Sequence, residues 1–180
     1  IELAKLLVEH SFPGKVFFCN SGAEANEGAI KLARKYFREK LGDERFEIIC
    51  MENSFHGRTL ATLAATGQEK FRKGFEPLPQ GFKHVRFNDI SELRKAVGPQ
   101  TCAIMIEPIQ GEGGVIPADP DYMKSVREIC DKEGLLLIVD EVQVGLGRTG
   151  RLFAYQHYDI KPDILTLGKA LGGGLPLGAI

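Results

Sequence analysis

Four short stretches carry side chains able to do chemistry, and each follows an apolar run. Lys169 sits in Leu167-Gly168-Lys169-Ala170-Leu171-Gly172-Gly173-Gly174, with no carboxylate within four positions of it in the chain. An amine desolvated among apolar residues and glycines is drawn below its usual pKa and becomes nucleophilic, as a Schiff-base lysine must be. The alternative is a solvated loop lysine. Asp140 follows the run Leu135–Val139, where a carboxylate is costly unless it has a partner. Asn20-Ser21-Gly22-Ala23 opens a helical stretch. There Ser21 is a good N-cap, Gly22 admits a ligand close to the backbone, and the free N–H groups of a helix start take a phosphate. The plainer alternative is that Ser21 only caps the helix, with Glu24 completing a capping box. In Asn53-Ser54-Phe55-His56-Gly57-Arg58-Thr59, Phe55 could stack on a flat ring and Arg58 could clamp a carboxylate with its planar fork. Otherwise this is a surface turn, with Phe55 folded into the core and Arg58 in solvent.

Two decoys lie nearby. Apolar residues followed by Asp140-Glu141 match the acidic strand end of nucleotide hydrolases, but the GxxxxGK[ST] loop that must accompany it is absent. Gly145-Leu146-Gly147-Arg148-Thr149-Gly150 matches GxGxxG, the basis for an NAD-dependent oxidoreductase reading. A dinucleotide site wants that motif in the first strand–helix turn, with an acidic residue ending the next strand. Here Asp163 begins the following strand, so a tight turn is the better reading. The four histidines are scattered without HExxH spacing, and Cys19, Cys50, Cys102 and Cys130 form no CxxC pair. No metal site is expected, and the cysteines read as small buried residues of a reducing cytoplasm.

The elements that must position these residues alternate along the chain. Strands are predicted at Lys15–Cys19, Phe46–Met51, Lys83–Phe87, Cys102–Ile106, Leu135–Val139 and Asp163–Leu167. Helices are predicted at Ala23–Lys40, Thr59–Ala65, Ile90–Val97, Pro120–Lys132 and Leu152–His157. Residues Gly67–Gly81 and Pro108–Pro120 read as loops. This is the pattern of an α/β domain, a mostly parallel sheet flanked by helices. The run at 135–139 is apolar on both alternating faces, as a doubly covered strand requires. In such sheets ligands sit at the carboxyl ends of the strands. At 180 residues one domain with a real core is expected. Lys plus Arg is 23 against 24 for Asp plus Glu, and this balance gives no field to hold nucleic acid or an anionic membrane. No apolar run approaches the roughly 20 residues of a membrane helix. The chain starts at Ile1 in a helical pattern and stops at Ile180 in an apolar stretch. Both ends read as cut, and a longer protein is expected.

Together the four strand ends supply a phosphate cradle, a flat aromatic, a buried carboxylate and a nucleophilic lysine. Pyridoxal phosphate needs all four: an anchored phosphate, a ring held flat, a protonated pyridine nitrogen, and an amine for its aldehyde. The sequence resembles the class III (ornithine aminotransferase-like) pyridoxal-phosphate enzymes throughout. The resemblance is carried by Phe18–Asn26, Ser54–Thr59, Glu107–Gly114, Asp140–Gln143 and Leu167–Lys169. It implies the fold type I transferase large domain, here spanning residues 1–180 without its C-terminal small domain, and a piece inactive by itself.

The resemblance also implies roles. Ser21, Gly22 and Ala23 hold the cofactor phosphate, Phe55 packs on the ring, Asp140 pairs with the pyridine nitrogen, and Gln143 hydrogen-bonds the ring hydroxyl side. Lys169 binds the cofactor and shuttles the proton, and Arg58 takes the α-carboxylate. Glu112 is the switch residue that pairs with an arginine beyond this chain and so admits 2-oxoglutarate. The implied reaction moves the δ-amino group of N-acetylornithine to 2-oxoglutarate, in a cytoplasmic homodimer of arginine biosynthesis. Ornithine, succinylornithine and 4-aminobutyrate are the alternative donors, and no nucleic-acid or membrane partner is expected.

Overall fold

The computed structural model describes residues 1–180. In chain order, α1 (Glu2–His10), β1 (Phe18–Cys19), α2 (Gly22–Lys40) and β2 (Glu47–Met51) come first. Then follow α3 (Leu60–Ala65), α4 (Glu69–Arg72), β3 (Phe82–Val85), α5 (Ile90–Ala96) and β4 (Thr101–Ile106). After β5 (Ile109–Gln110), β6 (Ile116–Pro117), α6 (Pro120–Glu133) and β7 (Leu136–Asp140) come β8 (Ile164–Thr166) and β9 (Gly178–Ala179). Short 3-10 turns at Ala154–His157 and Lys169–Gly172 flank β8.

Five strands form one parallel sheet in the order β3-β2-β4-β7-β8. Chain order therefore reverses between β2 and β4, where the loops leaving neighbouring strands diverge and open a crevice. Every residue of β4 is buried, as a central strand with helices on both faces requires. Because strand side chains alternate, Ile104 and Ile106 join Ile49, Met51, Leu137 and Val139 in one core beneath α6. Ala103 and Met105 join Ile48, Cys50 and Ile138 in the other, beneath α2. On α2, Ala25, Ala29 and Ala33 are fully buried, and their small size lets the helix lie close to the strands. Asp119 caps α6 ahead of Pro120, and Gly134 ends it in a left-handed conformation at φ 63°. No helix is long and apolar enough to cross a membrane.

The structure corrects several sequence expectations. Of Lys15–Cys19 only Phe18–Cys19 is a strand, and it pairs antiparallel with β9 instead of entering the parallel sheet. An apolar run indicates a strand but not its partner. Here Phe17 and Ile180 exchange backbone hydrogen bonds, and β9 reaches Leu167 beyond β8. Residues 67–81 contain the short helix α4, and 108–120 fold back as the β5–β6 pair. Leu152–His157 is a 3-10 turn over Ala154–His157. Gly145–Gly150 is a succession of turns, as its spacing against the strands indicated.

Replacing Ile104, fully buried at the sheet centre, by Ala is expected to cost about 2–5 kcal/mol in urea unfolding. Leu175→Ala, at a side chain 75% exposed, should stay within about 0.5 kcal/mol.

Candidate active site

The site is assembled where β2, β4, β7 and β8 end and α2 begins. Ser21 caps α2, its Oγ accepting the Glu24 N–H at 3.2 Å, while the Glu24 carboxylate reaches back to the Asn20 N–H at 2.7 Å. The N–H groups of Gly22 and Ala23 are first-turn donors without intrahelical acceptors. A Cβ on Gly22 would overlap the Val142 side chain, and one on Gly168 would come 3.0 Å from Gly22 itself. Backbone therefore meets backbone where α2 starts beside Lys169.

One turn further along α2, Asn26 is buried and donates through Nδ2 to the His56 carbonyl and to Asp140 Oδ2, both at 2.7 Å. Asp140 closes β7 at 3% exposure. Its Oδ2 also meets His56 Nδ1 at 2.8 Å, and its Oδ1 accepts the Val142 N–H at 3.0 Å. A carboxylate this deeply buried is tolerable because each oxygen is engaged.

The turn after β2 presents Phe55, His56 and Arg58. Thr66 Oγ1 accepts the His56 N–H at 3.0 Å, and Glu107, following β4, accepts the Phe55 N–H at 3.0 Å. Glu27 of α2 caps α3 by accepting the Thr59 hydroxyl at 2.5 Å and the Ala61 N–H at 3.1 Å. Burial alone would lower the His56 pKa; the hydrogen bond and charge of Asp140, with Glu107, outweigh it and raise it. Burial pushes Glu107 up to about 7, although the His56 charge opposes this.

Lys169 opens the 3-10 turn after β8 with φ 42°, a left-handed conformation that costs a residue with a side chain about 1–2 kcal/mol. Desolvation lowers its pKa, against the opposing charges of Asp140, Glu112 and Glu107. The fold thus supplies carboxylates to a lysine that has none nearby in the chain.

These residues surround a cavity of about 220 Å³. Gly22, Ala23, Phe55, Arg58, Asp140, Gln143 and Lys169 line it, with Asn26, His56, Gly57 and Val142. Of the sequence candidates, Ser21 and Glu112 do not line it. Ser21 faces its own helix as a cap, and Glu112 is exposed, reaching Lys169 through its charge. Asn26, Glu107 and the carboxylate contact of His56 were not anticipated. The available signal was a polar Asn26 on a helix face otherwise built from Ala29, Ile30 and Ala33. Glu141, beside Asp140, serves the fold instead, its two oxygens accepting the N–H groups of Ala154 and Tyr155 at 2.7 Å each. A second groove, of about 410 Å³, is mostly apolar. Lys15 and Asp163 are its only charged side chains, and Asp163 is already paired with Arg127.

The lining fits a flat phosphorylated ring. It has first-turn N–H donors without acceptors, Phe55 and Val142 as apolar side chains on its walls, and a satisfied carboxylate and an amine on one cavity. The Gln143 Nε2 donor is buried with no protein partner, as are Asn26 Oδ1 and His56 Nε2.

Comparison with known proteins agrees with this architecture. The family model described as aminotransferase class-III matches residues 1–180. An acetylornithine aminotransferase of Caldanaerobacter subterraneus subsp. tengcongensis is 63% identical over 180 residues, covering 100% of this chain and 46% of that protein. A succinylornithine transaminase of Photorhabdus laumondii is 54% identical over the same length, 45% of its own. A structure of Toxoplasma gondii ornithine aminotransferase, with partial occupancy of PLP at its active site, superposes with TM-score 0.93 at 38% identity. It covers 99% of this chain and 43% of that one. The chain thus spans less than half the length of the curated relatives it matches.

Glu107 and Glu141 are both raised from 4.5 to about 7 by burial, so they hold protons in the native state that the unfolded chain releases at lower pH. Stability should therefore fall as pH rises from about 4.5 to 7, and His56, raised from its usual 6.5, extends the fall above that value. Urea unfolding across that range should show a shallower fall in Glu107→Gln. An unchanged slope would place the Glu107 carboxyl in its ordinary range.

Proposed function

Since the chain belongs to the class-III aminotransferases, we propose that it is the cofactor-binding large domain of a pyridoxal-phosphate enzyme that moves the δ-amino group of N-acetylornithine to 2-oxoglutarate. The observation that carries this reading is that Lys169 and Asp140 line one cavity beside the acceptor-free start of α2. The 63% identity to an acetylornithine aminotransferase favours that donor. The 54% identity to a succinylornithine transaminase keeps an acyl-ornithine with a larger acyl group as the second reading. A nicotinamide oxidoreductase built on Gly145–Gly150 is set aside by the family membership and by the turns that replace a strand–helix crossing there.

Pyridoxal phosphate, when bound, supplies an electron sink for the carbanion left when a substrate carbon loses its proton. The residues of the chain hold and time that chemistry. The N–H groups of Gly22 and Ala23, at the positive end of α2, hold the phosphate, with Ser21 keeping the helix start in shape. Phe55, on the cavity wall, would pack against the ring. The carboxylate of Asp140, fixed from three sides by Asn26, His56 and the Val142 N–H, holds a proton on the ring nitrogen. Gln143 offers its unpartnered Nε2 to the ring hydroxyl side.

Lys169 would be the amine that holds the cofactor aldehyde. Its Nζ, drawn below the usual lysine range, would serve as the group that takes up and returns the substrate proton. Arg58, exposed at the cavity edge, takes the α-carboxylate of the donor. Glu112 tunes which side chain enters, as a negative charge near the reacting amine. The functional unit is a homodimer of full-length subunits in the cytoplasm.

Two measurements test this. Protein reconstituted with pyridoxal phosphate should absorb at about 420 nm, the value expected of lysine-bound cofactor, and Lys169→Ala should lose both the band and amino transfer. In a donor panel with 2-oxoglutarate, the full-length enzyme should prefer N-acetylornithine over ornithine and 4-aminobutyrate. No transfer from any of the three would remove the proposal.

A further inference from the structure

Arg58 has no acidic partner in this structure. No carboxylate lies within 4 Å of its guanidinium. Its position is set by aromatic rings. The guanidinium carbon lies 4.1 Å from the centroid of Phe71 and 5.7 Å from that of Phe55. The two rings meet edge to face, 5.4 Å apart at 77°, so Phe71 also braces the aromatic that lines the cavity. Phe71 sits thirteen residues beyond Arg58, on α4. A second cation, Lys70 Nζ, lies 4.7 Å from the same ring and likewise has no carboxylate within 4 Å.

A guanidinium held through its face by an aromatic ring keeps its N–H edge free, and that edge is what reads a carboxylate in two hydrogen bonds. An arginine on a long side chain would otherwise lose more rotamer freedom on binding.

We propose that Phe71 is a positioning residue for the substrate carboxylate: it seats the Arg58 guanidinium so that its N–H fork is presented at the cavity mouth. The inference rests on Arg58 as the carboxylate-binding group, and the test separates the two.

In the holoenzyme, steady-state kinetics compare N-acetylornithine with N-acetyl-1,4-diaminobutane, the same amine lacking the carboxylate. Glutarate, a dicarboxylate that cannot accept an amino group, is titrated by calorimetry as a readout independent of turnover. Phe71→Leu should raise KM for N-acetylornithine and Kd for glutarate about fivefold, with kcat little changed and the decarboxylated amine unaffected. Phe71→Tyr, which keeps the ring, should restore both values. Phe71→Met serves as the second aliphatic replacement should the leucine variant fold poorly. Equal effects on both amines, or an effect on kcat alone, would make Phe71 a merely structural residue and overturn the proposal. If Arg58→Ala discriminates between the amines and Phe71→Leu does not, the seat fails while the role of Arg58 stands. If Arg58→Ala does not discriminate either, the reading of Arg58 fails and this inference with it.

Discussion

The organisation of this domain turns on the burial of one carboxylate. Asp140 ends a strand whose neighbours exclude water, and a charge there must be met by donors from the protein. They come from three separate places: Asn26 on α2, His56 in the turn after β2, and the Val142 N–H just beyond β7. Oδ1 has only the Val142 N–H and Oδ2 is shared by Asn26 and His56, so a shift of any of the three takes a hydrogen bond from a buried charge. The relative placement of helix, turn and strand is thereby fixed at one atom group, and the cavity inherits that placement. His56 passes the constraint outward, because it faces Asp140 on one side and the charge of Glu107 on another.

The adjacent acid shows how position alone divides labour. Asp140 and Glu141 are consecutive and both nearly inaccessible, yet successive strand-end side chains leave in different directions. One meets the cavity. The other closes the start of the Ala154–His157 turn with two 2.7 Å hydrogen bonds. The apparent nucleotide-binding motif at 145–150 is tied to the same residue, the Gly145 N–H donating to the Glu141 carbonyl at 2.9 Å. Lys169 shows a local expense of the same arrangement. A residue with a side chain sits in the left-handed region immediately after β8, where the surrounding backbone holds it beside Asp140.

Much of this was legible in the sequence because periodicity and strand-end chemistry are local signals. The doubly apolar run at 135–139, the helical stretch opened by Ser21, and the helix predicted at Pro120–Lys132 all lie within a few residues of elements in the structure. The pairing of Lys15–Cys19 was not legible. Its strand partner lies some 160 residues away, and the apolar pattern of a strand is the same whichever neighbour it takes. Asn26 and Glu107 escaped for a related reason. A buried polar side chain announces that it has a partner but not which, and both have theirs on other elements. Ser21 was readable in two ways, as cap or as part of the cradle, and the structure displays the cap while leaving the donors of Gly22 and Ala23 open beside it.

The contact between Gly22 and Gly168 has a consequence for redesign. At Gly168 the floor of the cavity is drawn by main-chain curvature, because a side chain there would press on the α2 backbone at Gly22, whereas a side chain on Gly22 would press only on Val142. Room for a bulkier guest would have to come from the one wall there that has atoms to give up, the branched methyls of Val142. Mutational libraries that sample Val142 therefore explore new volumes, whereas those that sample Gly168 press directly on the main chain of α2.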